Sequence, residues 1–82
     1  MELKDTIELM TSNDYKDRFR AEYWQTKIRF NKLFEAIEEF EAGVLPFLLE
    51  PTNIKLLKEQ AEVMGHYLYT LEIRASLENI EL

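Results

Sequence analysis

The fold of this chain is decided by residues 54–75, which read IKLLKEQAEVMGHYLYTLEIRA. Apolar and small residues recur in this stretch at alternating spacings of three and four. They are Ile54, Leu57, Ala61, Met64, Leu68, Leu71 and Ala75. This spacing places them on one face of an α-helix, in the positions that pack along a second helix. The stretch therefore predicts a long helix with a partner helix.

The partner helix is predicted over residues 13–42, which contain no proline or glycine. A second series of residues steps along it by threes and fours: Phe19, Tyr23, Thr26, Phe30, Leu33, Ile37 and Phe40. Gly43 follows at the position where a helix often ends in a left-handed residue. A short connection between the two helices predicts an antiparallel hairpin, similar to a coiled coil. The predicted pairs are Phe40 with Ile54, Phe30 with Met64, and Phe19 with Ala75.

The remaining segments complete a single all-α domain, residues 1–82, with helices at about 2–10, 13–42 and 53–77. The first helix is too short to be stable alone, so we expect it to dock on the hairpin. Thr11 and Asp14 predict a capping box for the second helix, and Thr52 or Asn53 predicts a cap for the third. Residues 78–82 either continue the third helix or fray. The apolar connection, residues 43–52, is predicted to fold back over the hairpin.

Composition limits the classes of partner. The chain has 82 residues and a formal net charge of −6, which argues against binding a nucleic-acid polymer. It has no cysteine and therefore no disulfide or thiolate site. No apolar run approaches the ~20 residues of a membrane span, and the polar N-terminus does not resemble a secretory signal. We therefore expect a cytoplasmic protein with no membrane partner.

Charged residues are unevenly distributed along the second helix, with cations early and glutamates late. Antiparallel pairing offers an explanation, because it brings oppositely charged residues of the two helices together. It predicts Glu38, Glu39 and Glu41 beside Lys55 and Lys58, and Arg18 and Arg20 beside Glu72 and Glu78.

Many apolar residues lie outside the two packing series. They are Trp24, Ile28, Phe34, Leu56, Val63, Tyr67, Tyr69, Ile73 and Ile80. A second copy of the chain would cover those that the first helix leaves exposed, so the sequence predicts a homo-oligomer, most simply a dimer.

Aromatic and basic residues gather at the end of the hairpin away from the connection. The candidate ligand-binding residues are Tyr15, Arg18, Tyr23, Trp24, Lys27, Tyr67 and Arg74. Aromatic rings can stack on a nucleotide base while a guanidinium group binds phosphate. The alternative interpretation is structural: the rings belong to the core or an interface, and the cations pair with nearby carboxylates.

Catalysis is not predicted. His66 is the only histidine, and no second ligand, nucleophile or glycine-rich phosphate loop accompanies it. We therefore expect a protein that is not an enzyme and that uses no cofactor and no metal.

Part of the pattern resembles a known family of short proteins. The segments Ala21-Glu22-Tyr23, Glu41-Ala42-Gly43 and Arg74-Ala75 are among those that carry the resemblance, which covers about residues 15–82. Phages and prophages of gut and Gram-positive bacteria encode this family, which is described as related to a crAss-like-phage protein. The resemblance implies a phage or prophage protein and no particular mechanism.

A more distant resemblance implies a function. Tyr67-Leu68, Leu71 and Arg74-Ala75 on a helical hairpin are similar to the hairpin of small phage anti-defence proteins. Those proteins assemble as oligomers and sequester the cyclic nucleotides of CBASS or the cyclic ADP-ribose-type signals of Thoeris. The resemblance implies a nucleotide-sequestering protein in which Arg74 contacts the ligand, while Tyr15, Arg18, Tyr23 and Lys27 correspond only by general position.

A different class of function remains open. A helical phage accessory factor that docks on a host or virion protein needs no ligand site. This hypothesis assigns the contact to Leu45, Phe47 and Leu48, or to the acidic face of residues 35–41.

Overall fold

The computed structural model describes residues 1–43 and 51–82, with side chains in the second range from residue 53 onward. A 3₁₀ turn, Leu3–Thr6, leads into the single-turn helix α1, Ile7–Met10. Two long helices follow, α2 (Tyr15–Glu41) and α3 (Pro51–Leu77). The described residues contain no strand, so the predicted all-α fold is confirmed. The prediction for the apolar connection falls mostly on residues 44–50 and lies outside the described residues.

Helices α2 and α3 pack antiparallel along the predicted series. Phe19, Leu68, Leu71 and Ala75 are buried in one cluster, and Leu71 is 0% exposed. Further along the pair, Phe30 Cε1 lies 3.4 Å from the point that a Cβ on Gly65 would occupy. Phe30 was predicted opposite Met64, so the predicted register is confirmed to within one residue.

The start of α2 differs from the prediction. Asp14 is the N-cap residue, and its Oδ1 accepts a hydrogen bond of 2.9 Å from the backbone N–H of Lys16. Thr11 instead donates its hydroxyl to the carbonyl of Ile7 at 3.0 Å, which closes α1. The predicted capping box of Thr11 and Asp14 is therefore wrong, because the threonine hydroxyl satisfies the end of the preceding helix.

The N-terminal segment docks on α2, as predicted, but it is not one continuous α-helix. Its first turn is a 3₁₀ turn with a capping box between Glu2 and Asp5. Thr6, 1% exposed, fixes the segment through its hydroxyl, which donates to the Leu3 carbonyl at 2.7 Å and accepts from Gln25 Nε2 at 3.0 Å. A buried hydroxyl with both partners satisfied costs little, so the contact stabilises the docking.

The start of α3 differs from the prediction, whereas its end at Leu77 agrees with it. The helix begins at Pro51, so Thr52 and Asn53 lie within its first turn rather than capping it. Proline is well suited to the first helical position, where its missing N–H has no partner to lose.

The chain after α3 neither continues the helix nor frays. The helix ends at Leu77, and Asn79 adopts a left-handed conformation with φ of 58°. The N–H of Ile80 then donates to the Ala75 carbonyl at 2.8 Å, and the Ile80 side chain is buried in the hairpin core. The last residues therefore turn back toward α2.

The two glycines provide a matched test of this fold. Gly43 has φ of +80°, and no atom would lie within 4 Å of an added Cβ. Gly43→Ala should lower the free energy of unfolding by about 1 kcal/mol, through backbone strain alone. Gly65→Ala should raise it by up to ~1 kcal/mol, because alanine favours the helix and its Cβ meets Phe30 at an ordinary contact distance.

Urea unfolding of both variants, followed by circular dichroism, measures these changes. Equal losses of stability in the two variants would contradict the assigned backbone conformations.

Candidate functional site

Four residues form a closed network where the start of α2 meets the end of α3. Arg74 Nε lies 3.2 Å from Glu78 Oε2, and Arg74 Nη2 donates to the Tyr15 hydroxyl at 2.9 Å. That hydroxyl donates in turn to Glu78 Oε1 at 2.7 Å. The guanidinium carbon of Arg74 lies 5.0 Å from the centre of the Phe19 ring. Tyr15, Phe19, Arg74 and Glu78 are called the Arg74 cluster below.

The helices position this cluster by simple periodicity. Tyr15 and Phe19 are one turn apart on α2, and their rings meet edge to face at 6.2 Å. Arg74, in the last turn of α3, and Glu78, the residue after the helix ends, are likewise four residues apart. Phe19 is buried beneath the cluster, whereas the Arg74 side chain and Tyr15 are each 46% exposed. The cluster therefore presents a fixed guanidinium and an aromatic ring to solvent.

The hydrogen bonds fix the charge states of the cluster. The hydrogen bond from Tyr15 lowers the pKa of Glu78, and Arg74 lowers it further. The same hydrogen bond raises the pKa of Tyr15. Partial burial lowers the pKa of Arg74, but Glu78, Tyr15 and Glu22 together outweigh this effect and the net shift is upward. At neutral pH the cluster thus holds a cation, an anion and a neutral phenol, and an incoming anion would compete with Glu78.

Tyr23 lies in the core rather than in a site. It is 6% exposed, and its hydroxyl donates to Glu72 Oε2 at 2.6 Å. Burial, followed by the hydrogen bond to Glu72, raises the pKa of Tyr23 to about 12. Its ring faces Trp24 edge-on and packs against α3, so it offers no face for stacking on a ligand.

Trp24 and Lys27 lie apart from the Arg74 cluster. Trp24 follows Tyr15 by nine residues, which places it about 180° around α2. Its indole N–H donates to the Leu82 carbonyl at 3.2 Å, and Arg20 Nε donates to the Glu81 carbonyl at 2.6 Å. Together with Met1 and Leu9, these groups line a cavity of about 590 Å³. Lys27 Nζ lies 6.0 Å from the centre of the Phe30 ring.

The two remaining candidates differ in position. Arg18 Nη1 donates to the Ser12 carbonyl at 2.8 Å and therefore fastens the loop before α2. Tyr67 is 39% exposed and precedes Arg74 by two turns, which places it on the same face of α3 about 10 Å away. The structure thus brings Tyr15 and Arg74 together, leaves Tyr67 on the Arg74 face, and separates the others.

Comparison with known families identifies the hairpin. The Sequestin family model matches residues 13–77, a range that includes all of α2 and α3. This chain belongs to the Sequestin family. The name indicates a sequestering role, and hence a binding protein rather than a catalyst, but it specifies no ligand. No curated protein and no solved structure matches the chain.

The Sequestin match spans Tyr15 and Arg74 and leaves out the N-terminal turn. It agrees with the resemblance to sequestering proteins and adds nothing on the crAss-like-phage relationship. In the described part of the chain, no helix is long and apolar enough to cross a membrane.

The predicted ion pairs of this Sequestin hairpin are partly wrong. Glu41 pairs with Lys58, as expected. Arg18 and Arg20, however, do not reach Glu72 or Glu78, because loop and tail carbonyls and Asp17 bind their guanidinium groups. The pairs of Arg74 with Glu78 and of Arg20 with Asp17 agree with the alternative interpretation, in which the cations of this end pair with nearby carboxylates.

The hairpin also carries an apolar groove that the sequence did not reveal. It has a volume of about 510 Å³ and lies between α2 and α3. Phe30, Phe34 and Ala61 are among the apolar residues that line it, and Glu38 and Glu62 are among the charged ones.

Tyr23 gives a test of the core assignment. Tyr23→Phe should lower the free energy of unfolding at pH 8 by about 1–2 kcal/mol, because it removes a hydrogen bond to a carboxylate. The folded-state pKa of about 12 exceeds the ordinary value of 10.0, so this contribution is complete below pH 10 and declines as pH rises toward 12.

Urea unfolding across this pH range measures the difference between the wild type and Tyr23→Phe. Tyr69→Phe, at a position 60% exposed, serves as the control and should change stability by less than about 0.5 kcal/mol. A difference that stays constant from pH 8 to pH 12 would contradict the assigned role of the Tyr23 hydroxyl.

Proposed function

We propose that this Sequestin family member is a phage-encoded anti-defence protein that sequesters a cyclic nucleotide or cyclic ADP-ribose-type immune signal without catalysis. The observation that carries the proposal is the half-exposed Arg74 guanidinium, held beside the Tyr15 ring at the end of a Sequestin hairpin. The homo-oligomer predicted from the sequence forms part of the proposal, because one hairpin alone offers a shallow surface.

The chemistry of the cluster suits such a ligand. A guanidinium group donates paired hydrogen bonds to phosphate oxygens, and an exposed phenol ring can stack on a base. Phe19 and Glu78 already restrict the Arg74 side chain, so binding would cost less conformational entropy than it would with a free arginine. Tyr67, two turns away on α3, could contact the far end of a dinucleotide.

Arg74→Ala tests the proposal directly. Isothermal titration calorimetry with a panel of cyclic dinucleotides and cyclic ADP-ribose isomers should give binding for the wild type and at least a tenfold loss for Arg74→Ala. Lys58→Ala is a matched control, because it also removes one exposed ion pair, with Glu41, but at the other end of the hairpin. It should bind as the wild type does.

Two outcomes would contradict the proposal. Absence of binding heat with every ligand of the panel would remove the nucleotide function. Equal losses of affinity in Arg74→Ala and Lys58→Ala, with helicity preserved, would remove the Arg74 cluster from the site.

Glu78→Gln gives a second prediction. The carboxylate accepts hydrogen bonds from both Arg74 and Tyr15, so it occupies the donors that a phosphate would use. Its neutralisation should raise the affinity for the nucleotide roughly two- to fivefold, the range of one exposed ion pair.

The same titration measures this effect, with Glu41→Gln as the control at the opposite end. An affinity that falls in Glu78→Gln would mean that Glu78 supports the ligand rather than competing with it.

The apolar groove favours a second candidate function, docking on another protein. Phe34 is 49% exposed in a groove that Glu38 and Glu62 also line, which suits a partner helix with apolar and basic faces. Part of the acidic face of residues 35–41 lines this groove, whereas Leu45, Phe47 and Leu48 lie outside the described residues. A protein of this class would show no response to nucleotides in the titration.

A further inference from the structure

The face of α3 that points away from α2 carries a regular apolar series. Leu56, Val63 and Leu77 are 56%, 69% and 79% exposed. They lie at multiples of seven residues, and Thr70 fills the remaining position of the series. Leu56, Val63, Thr70 and Leu77 are called the outer stripe below.

The hairpin itself leaves the outer stripe unused. The buried residues of α3, such as Leu68 and Leu71, face α2, and the helical repeat places the outer stripe more than about 90° away from them. Residues spaced by seven lie along one line of a helix, as one of the two apolar positions of a coiled-coil heptad does. Large side chains this exposed lose the free energy that burial would give them.

The outer stripe of one chain is complementary to the outer stripe of a second chain that runs in the opposite direction. Its midpoint lies between His66 and Tyr67, so a second α3 running in the opposite direction places Leu56 level with Leu77 of the second copy. Val63 then lies level with Thr70 of the second copy. Such a pairing around a two-fold axis uses the same surface on both chains and closes into a dimer.

Charges beside the outer stripe select this direction. Glu59 and Arg74 lie equally far from the midpoint, so antiparallel pairing brings each glutamate level with the arginine of the other chain. Parallel pairing would instead place Glu59 level with Glu59 and Arg74 level with Arg74. Opposite charges favour a contact and like charges disfavour it, so the antiparallel arrangement is preferred.

We propose that the outer stripe of α3 binds a second copy of this chain, antiparallel, with Glu59 of each copy beside Arg74 of the other. The inference develops the oligomeric part of the proposed function, because it places an acidic group of the second copy next to the Arg74 cluster. It needs no ligand, so it is tested without nucleotide and can fail or hold independently of the calorimetry.

Analytical ultracentrifugation of the full chain gives the first test. The wild type should sediment as a dimer or a multiple of it at micromolar concentration. Val63→Lys should weaken self-association more than about tenfold, because each dimer loses two buried valines and gains two buried charges. Leu77→Lys, at the most exposed position of the outer stripe, should act in the same direction and guards against a folding defect in one variant.

Phe34→Lys is the matched control, since Phe34 is an exposed apolar residue of the groove between α2 and α3. It should leave the association unchanged, and circular dichroism confirms helicity in all variants. A wild-type monomer would overturn the proposal. Association lost in Phe34→Lys but kept in Val63→Lys would also overturn it and assign the contact to the groove.

Cysteine cross-linking tests the direction, because the chain has no cysteine of its own. A mixture of Leu56→Cys and Leu77→Cys proteins should form a mixed disulfide dimer under mild oxidation, whereas neither variant alone should do so. Disulfide dimers of each variant alone, without the mixed species, would overturn the antiparallel arrangement.

Discussion

The close antiparallel packing of α2 on α3 is the constraint on which the other features of the molecule depend. Leu71 and Ala75 lie against Phe19 in the core, and the Phe30 ring contacts α3 at Gly65. Small residues at a helix contact shorten the distance between the axes, and large apolar residues fill the remaining space. Because the helices run in opposite directions, the first turn of α2 meets the last turn of α3. The Arg74 cluster, the Tyr23–Glu72 hydrogen bond and the buried Ile80 all arise from this meeting.

The hairpin could be predicted because burial acts on periodicity, and periodicity is visible in one sequence. The Phe19 and Leu68 series are regular over six turns, so the packed faces followed from their spacing, while the short connection indicated the direction and the register. The ion pairs could be predicted less well. That prediction compared only the positions of the charged residues along the helix axes. A helix also sets the direction in which each side chain points. Arg18 and Arg20 lie at the right height for Glu72 and Glu78 and point away from them, toward the Ser12 and Glu81 carbonyls.

The direction in which side chains point also explains why the predicted ligand-binding residues do not all lie together. Tyr23 belongs to the packing series, so its burial was implied by the pattern that predicted the fold, and a buried ring cannot stack on a ligand. Trp24 is the next residue and points about 100° away from it, toward the C-terminal residues. The position of those residues depends on the left-handed Asn79, a conformation that asparagine tolerates but that no sequence pattern demands here. The contacts of Trp24 and Arg20 with the chain end were therefore beyond prediction.

The acidic net charge and an anionic ligand are compatible if binding depends on contact rather than on long-range attraction. At physiological ionic strength, charges more than ~8 Å apart are largely screened, so the total of −6 matters less than the groups that touch the ligand. Arg74 uses its Nε for Glu78 and one N–H of Nη2 for Tyr15, and its other N–H groups lie on a half-exposed side chain. Those donors suffice for a phosphate oxygen or for Glu59 of a second copy. A phosphate that also accepted the hydrogen bond of Nε would have to displace the Glu78 carboxylate. The acidic neighbours of Arg74 would thus keep its guanidinium ordered while the site is empty. Only a strongly anionic ligand would then bind, because it must compete with these carboxylates for the guanidinium.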